Sequence, residues 1–353
     1  MSKAKSNQFR PVGEPLVLDG AYSDDQHARL LQAVRDNGPW KLILAQHFAS
    51  VEELIATMSG AMPEGVTPTL DMFLTPAFRG FFAEQGVCKH PELEDCFYNS
   101  DFMARTRAYW NAEYVRPEQL MFNIQGPADN LDPGHLDAVT FRGTHGRSTP
   151  IWLMNIMGKS GLFQDWLLKK AQVITWFYKG GIGGGFTYWP DGPHGQPKRI
   201  AAPMWNRAVV VQNEMMYHRG EPNGPDEMRR PDGLDLHSLI EADPDEATGW
   251  RIRNDDKVIQ HIPEQEIRFL VHWGAEVYED LDEMKKVMDH TDDLDTQRIV
   301  DIFIQDLKQR GIKCTEPADP LHDQAFIMQL VDVYDIGAPS IYPPEAPSPL
   351  QAA

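Results

Sequence analysis

Pro133-Gly134-His135-Leu136-Asp137-Ala138-Val139-Thr140-Phe141 is the stretch on which the reading of this chain turns. In an extended segment side chains alternate faces, so His135 and Asp137 point the same way while Leu136 turns to the opposite side. One imidazole and one carboxylate are thereby presented together. Non-haem Fe(II) takes two His and one carboxylate and keeps its other positions open, so such a pair needs one more imidazole from elsewhere. His218 is the candidate. It closes the run Arg207-Ala208-Val209-Val210-Val211-Gln212-Asn213-Glu214-Met215-Met216-Tyr217, rich in β-branched and aromatic residues, so both ligand sets sit on or beside expected strands.

The composition sets the frame for that site. With 353 residues, 42% of them hydrophobic, the chain can bury a large core as one large or two small domains. Lys and Arg number 33 against 52 Asp and Glu, and the net charge of −19 repels phosphate backbones and anionic membrane surfaces. We therefore expect a small-molecule substrate and neither nucleic acid nor membrane as partner. An anionic co-substrate is still compatible with this surface, because a local Arg in a pocket decides its binding. The three cysteines, Cys88, Cys96 and Cys314, form no Cys-x-x-Cys pair. The N-terminal Met1 to Arg10 has no apolar signal region, and no apolar run reaches membrane-spanning length, so the expected location is cytoplasmic.

Helical spacing of Ala28, Leu30, Leu31, Ala33 and Val34 predicts a helix over 24–37, stopped by Asn37-Gly38-Pro39. A second helix over 51–59 has Ser50 as cap with Glu53 at the third position, and further helices are expected over 76–84 and 100–111. From Glu118 the pattern becomes strand-like, through 120–127, 172–178, 186–189 and the run to His218, with a helix over 160–171 between. The glycines of 180–185 do not keep the Gly-x-Gly-x-x-Gly spacing and precede no Gly-Lys-Ser/Thr, so they read as a loop or hairpin turn. A hairpin is expected from 250–253 and 257–262, a long strand over 266–278, and helices over 281–290 and 296–310. The fold class expected is mainly β with a helical buttress (α+β), a double-stranded β-helix or jelly roll flanked by N-terminal and C-terminal helices. By region this gives a helical part at 1–115, a jelly-roll catalytic core at 116–280 with a loop insertion at 220–265, C-terminal helices at 281–337 and a loose Pro-rich tail at 338–353.

The order His135, Asp137 and then a distant His218 resembles the Fe(II)/2-oxoglutarate-dependent oxygenases, and within them the phytanoyl-CoA dioxygenase-like branch. Pro133-Gly134-His135-Leu136-Asp137 and His218-Arg219-Gly220-Glu221-Pro222-Asn223-Gly224 carry the resemblance, which extends over about residues 118 to 278. It implies Fe(II) held by His135, Asp137 and His218, with 2-oxoglutarate as co-substrate and O2. The implied activity is a dioxygenase that oxidises a substrate C–H bond by hydroxylation, desaturation or cyclisation, releasing succinate and CO2. Related halogenases carry a small residue where this chain has Asp137, which argues against halogenation.

The far carboxylate of 2-oxoglutarate calls for an Arg, whose planar fork pairs bidentately. Arg229-Arg230 follows His218 at the family's spacing, yet Pro231-Asp232-Gly233 cannot continue a strand there. Arg268 heads a strand-like run and is favoured if 224–265 is inserted. Asn123 and Gln125 share a face of the strand before the metal loop and are candidates for co-substrate or substrate contacts. The remaining histidines, His145, His194, His237, His261 and His272 among them, have no partner at ligand spacing and read as structural. Two alternatives stay open: a cupin-like metalloenzyme that does not use 2-oxoglutarate, and a metal-free jelly-roll binding protein. A zinc hydrolase is disfavoured by the absence of a His-Glu-x-x-His helix. Substrate identity and oligomeric state lie beyond the sequence.

Overall fold

Apolar residues alternate with polar ones through the middle of the chain, and in the computed structural model, which describes residues 9–58, 69–144 and 149–348, that alternation becomes two antiparallel sheets. The strands are β1 (Leu16–Asp19), β2 (Trp40–Leu42), β3 (Ala77–Glu84), β4 (Val87–Cys88), β5 (Tyr114–Gln125), β6 (Lys170–Tyr178), β7 (Phe186–Trp189), β8 (Lys198–Ile200), β9 (Met204–Val211), β10 (Tyr217–Gly220), β11 (Leu239–Ala242), β12 (Trp250–Asn254), β13 (Lys257–Ile262) and β14 (Arg268–Tyr278). The large sheet runs β1-β9-β6-β14-β5-β3-β2-β11-β12-β13 with β4 beside β3, and the small one runs β10-β7-β8.

β14 is the spine of the large sheet, paired along its length with β5 on one side and β6 on the other. One face buries Phe122 and Ile124 of β5, Val173 and Phe177 of β6, and Phe269, Val271 and Trp273 of β14. Against it pack Leu30 and Val34 of α1 (Asp24–Asn37), Phe97 of α4 (Glu94–Phe97) and Phe102 of α5 (Ser100–Trp110). Each such side chain contributes about 1.5–3 kcal/mol on leaving water. The opposite face presents Ile174, Trp176 and Tyr178 of β6 with Val209 and Val211 of β9, and these meet Phe186, Tyr188 and Ile200 of the small sheet. β6 is buried on both faces, with apolar residues on each. The site lies between the sheets.

The remaining helices are α2 (Ile43–His47), α3 (Val51–Thr57), α6 (Ile151–Ser160), α7 (Leu281–Met288), α8 (Thr296–Gln309) and α9 (Gln324–Tyr334). α6, α8 and α9 share a second core with Trp152, Ile156, Phe303, Leu307, Phe326 and Leu330. Local chemistry sets these helix starts: Ser23 closes a capping box with Gln26, Ser50 accepts from the Glu53 N–H, and Asp295 and Asp323 cap α8 and α9. No helix of the described residues is long and apolar enough to cross a membrane.

Several expectations are corrected. Residues 76–84 form no helix: β3 occupies them and pairs with β5, placing a strand of the large sheet inside the expected helical region 1–115. Gly80 explains it, since a Cβ there would stand 2.5 Å from the Trp40 ring and 2.6 Å from that of Phe122, a close strand approach that a helix-favouring residue would block. The helix expected at 160–171 lies earlier, as α6, and Gly161 ends it in the left-handed region. The glycines of 180–185, expected as a loop or hairpin turn, form a loop that carries the chain from β6 in the large sheet to β7 in the small one. The stretch 220–265 holds more than a loop: β11 joins the expected β12–β13 hairpin and extends the large sheet beyond β2. Nor is the tail loose over its described residues, 338–348; residues 349–353 lie outside them. Trp189 donates to the Ile341 carbonyl at 2.8 Å, Tyr342 to the Pro133 carbonyl at 2.9 Å, and Arg219 to the Ala346 and Pro347 carbonyls at 2.7 and 2.8 Å.

Candidate active site

His135 and His218 exchange both backbone hydrogen bonds, at 3.1 and 3.0 Å, which adds the segment around His135 to the free edge of β10. Gly134 makes the approach at φ +123°, where a Cβ would stand 2.9 Å from Pro339 and 3.2 Å from the Trp189 ring. Two residues on, the Asp137 N–H donates to the Asn213 carbonyl at 3.1 Å. The alternation of side chains then brings all three groups together. Asp137 Oδ1 lies 3.5 Å from His218 Nε2 and 3.9 Å from His135 Nε2, and the ligand atoms of the three all lie within 4.8 Å of one another.

The outer nitrogens of both rings are occupied. His135 Nδ1 bonds the Asp132 carboxylate, and His218 Nδ1 donates to the Met216 carbonyl at 3.0 Å. Each Nε2 lone pair is thus left facing Asp137, the orientation that outer-shell partners impose on metal-bound His. Asp137 Oδ2 accepts from Gln172 Nε2 at 3.0 Å. Burial opposes charge on His135, but the neighbouring Asp132 and Asp137 carboxylates prevail and raise its pKa. Burial likewise works against ionisation of Asp137, yet His218, His272 and His135 hold its carboxyl far below the usual range. Two imidazoles and a carboxylate on one side, each fixed from behind, suit an octahedral metal with open positions.

His135 and Asp137 open into a cavity of about 580 Å³, within the range of small-molecule sites. Arg79, Phe81, Met121, His272, Gln119, Gly274 and Gln172 of the inner face of the large sheet form its floor, and the cross-strand register orders the whole of that face in rungs. Gln125, Arg268 and Tyr178 form one rung, and Arg79, Asn123, Leu270 and Trp176 the next. Phe81, Met121, His272 and Ile174 follow, then Gln119, Gly274 and Gln172. His272 is buried with its Nε2 unpartnered, and burial lowers it to about 4 despite Asp137. Glu214, in the turn between β9 and β10, accepts from Thr140 at 3.1 Å with one oxygen and has no partner for the other. Burial raises it to about 8 against the pull of Lys170.

Of the two arginines weighed for 2-oxoglutarate, Arg229 turns away from the triad. It donates to the Gly224 carbonyl at 2.8 Å and pairs with Asp226 at 2.6 Å, because Pro231 and Gly233 keep its segment in a turn. Arg268 points between the sheets. Its Nη1 lies 3.8 Å from where a Cβ of Gly220 would stand, and Gly220 is the next residue after His218 on that face of β10. About 7 Å of strand separates those two positions. Burial lowers the Arg268 guanidinium to about 10, with Glu221 and Tyr178 acting the other way. Asn123 accepts from Arg79 at 2.8 Å, and Gln125 donates to Asn130 and Asn223 at 2.8 and 3.1 Å, so both have protein partners. His261 pairs with Asp243 and His194 with Ser340, away from the triad, and His145 lies outside the described residues.

Sequence reasoning missed Arg79, Glu214 and Lys170 as cavity residues and assigned His272 a structural place. Strand parity was the available signal for His272, which shares a face of β14 with Arg268. Arg79 gave none, because its strand was read as a helix.

No family model matches the chain, and no curated protein does. Among solved structures it is similar to a 2OG-Fe(II) oxygenase family oxidoreductase from Burkholderia pseudomallei, at 11% identity over 78% of this chain and 91% of that one, TM-score 0.37. It is similar to HygX from Streptomyces hygroscopicus, solved with nickel, 2-oxoglutarate and hygromycin B, at 8% identity over 80% and 94%, TM-score 0.36. A third is the non-haem α-ketoglutarate-dependent carbocyclase SnoK from nogalamycin biosynthesis, at 11% identity over 84% and 94%, TM-score 0.38. At identities and TM-scores this low, what the chain does is read from its own residues.

Proposed function

We propose that this chain is a non-haem Fe(II)- and 2-oxoglutarate-dependent oxygenase that oxidises a C–H bond of a small molecule. The observation that carries the reading is the relation between the triad and Arg268: His135, Asp137 and His218 converge at one inward position of β10, and the guanidinium stands at the next. That span suits a five-carbon diacid whose keto-acid end chelates the metal and whose far carboxylate pairs with Arg268. Topology supports it too. The order β9-β6-β14-β5 faces the order His135 segment-β10-β7-β8, two four-stranded layers that we take as a double-stranded β-helix.

Bound iron, with 2-oxoglutarate and O2, supplies the oxidising power, and the co-substrate leaves as succinate and CO2. The protein's own part is positioning. Asp132 and the Met216 carbonyl hold the two imidazoles in the tautomer that leaves Nε2 free, and Gln172 fixes the Asp137 carboxylate. Leu270, Ile174 and Phe186 belong to the apolar cluster between the two sheets, and apolar surroundings would strengthen an ion pair made by Arg268.

The test is anaerobic titration of the metal-free protein with Fe(II) and then 2-oxoglutarate, followed by the weak visible charge-transfer band of the chelate. We expect a band that His135→Ala abolishes and Arg268→Met shifts to much higher 2-oxoglutarate concentration. Iron binding with no band would overturn the 2-oxoglutarate assignment in favour of a cupin-like metalloenzyme; no metal binding would leave a jelly-roll binding protein.

A further inference from the structure

Arg79 is a cation in the cavity whose contacts are all neutral. It stands on β3 facing inward, its Nε donating to Asn123 Oδ1 at 2.8 Å and its Nη1 to His47 Nε2 at 3.0 Å. His47 carries no charge to oppose it, since burial and Arg79 itself lower that imidazole to about 3. Burial lowers Arg79 only to about 10, so the guanidinium stays charged at neutral pH. Among the described residues no carboxylate contacts it. Asp137 acts on it from further off, but the Asp137 oxygens are turned to His218 and Gln172.

A buried charge is ordinarily matched by an opposite charge or by a ligand that brings one. Phe48, Leu54, Phe73, Met121 and Met154 give the cavity apolar wall, while its other cation, Lys170, already has carboxylates beside it in Glu118 and Glu214. The co-substrate has its own cation in Arg268, on β14, from which β3 is separated by β5.

We infer that Arg79 is a specificity-determining residue that pairs with a carboxylate of the substrate, and that the substrate is a largely apolar small acid seated in this cavity. The inference rests on the oxygenase reading and extends it to a substrate class. Asn123 and neutral His47 hold two edges of the guanidinium, so its remaining N–H groups present a preorganised fork to the carboxylate.

Isothermal titration under argon, on protein loaded with Fe(II) and 2-oxoglutarate, tests this. The probes are apolar monocarboxylic acids, 4-phenylbutyrate, decanoate and indole-3-acetate among them, each paired with its primary amide. Wild type binds acids in preference to their amides. Arg79→Met weakens the acids by at least about 30-fold while barely moving the amides, and Arg79→Lys falls between. Equal binding of acids and amides by wild type, no acid binding, or indifference to Arg79→Met overturns the inference. The acid-to-amide comparison in wild type needs no variant and decides the matter even if Arg79→Met fails to fold. Should Arg79→Met instead move the 2-oxoglutarate midpoint of the chelate band, Arg79 holds the co-substrate and the inference falls. A wild type without the band sinks the oxygenase reading separately, and the acid preference of the metal-free protein then still decides the role of Arg79.

Discussion

Gln172 donates from Nε2 to Asp137 Oδ2 at 3.0 Å, and its Oε1 accepts from the Asn213 N–H at 2.8 Å. One amide on β6 thus ties the Asp137 carboxylate to the turn that leads into His218. Replacing it with Leu keeps the volume and removes both bonds. We expect Gln172→Leu to lower Fe(II) affinity by roughly 10–100-fold, read by competition with a chelator. An unchanged affinity would mean that Asp137 is oriented by other means.

The two arginines should separate in binding. Arg229 is spent on Gly224 and Asp226, whereas Arg268 faces the space beside Gly220. Arg229→Ala should leave the 2-oxoglutarate midpoint of the chelate band within about twofold, and Arg268→Met should raise it at least about 30-fold. The reverse ranking would exchange their roles.

Glu214 gives a pH dependence. Its carboxyl ionises near 4.5 when exposed and, mainly through burial, near 8 in the fold. Between those values the unfolded chain has lost the proton and the folded one keeps it, so rising pH costs stability. Glu214→Gln removes the titration. In urea melts the variant should gain on wild type as pH rises from 5 to 8, by at most about 5 kcal/mol. Parallel stability curves would refute the assignment.

The C-terminal tail, as far as residue 348, packs behind the loop that carries His135. Tyr342 donates to the Pro133 carbonyl at 2.9 Å, and its ring lies 5.0 Å below the buried Arg219 guanidinium. Tyr342→Phe should cost about 0.5–1.5 kcal/mol. Deleting residues 338–353 should lower both Tm and Fe(II) affinity further, because Arg219 and Trp189 lose their carbonyl acceptors. A truncated protein that binds iron as wild type does would show the tail to be dispensable to the site.

Local chemistry alone determined much of this protein. Helical spacing and caps placed α1, α3, α5 and α8, strand-like composition placed β5 and β6, and period-two alternation placed β14. The His-x-Asp spacing put His135 and Asp137 on one face before any fold was known. What only the tertiary structure decided concerns register. Whether β3 is a strand, which of Arg229 and Arg268 faces the triad, and that Arg79, Glu214 and His272 share one cavity all depend on pairings between segments far apart in sequence. Spacing within a segment fixes which face a side chain takes. What stands opposite it is set by the energy of the whole packed sheet, and a shift of one residue turns every side chain over.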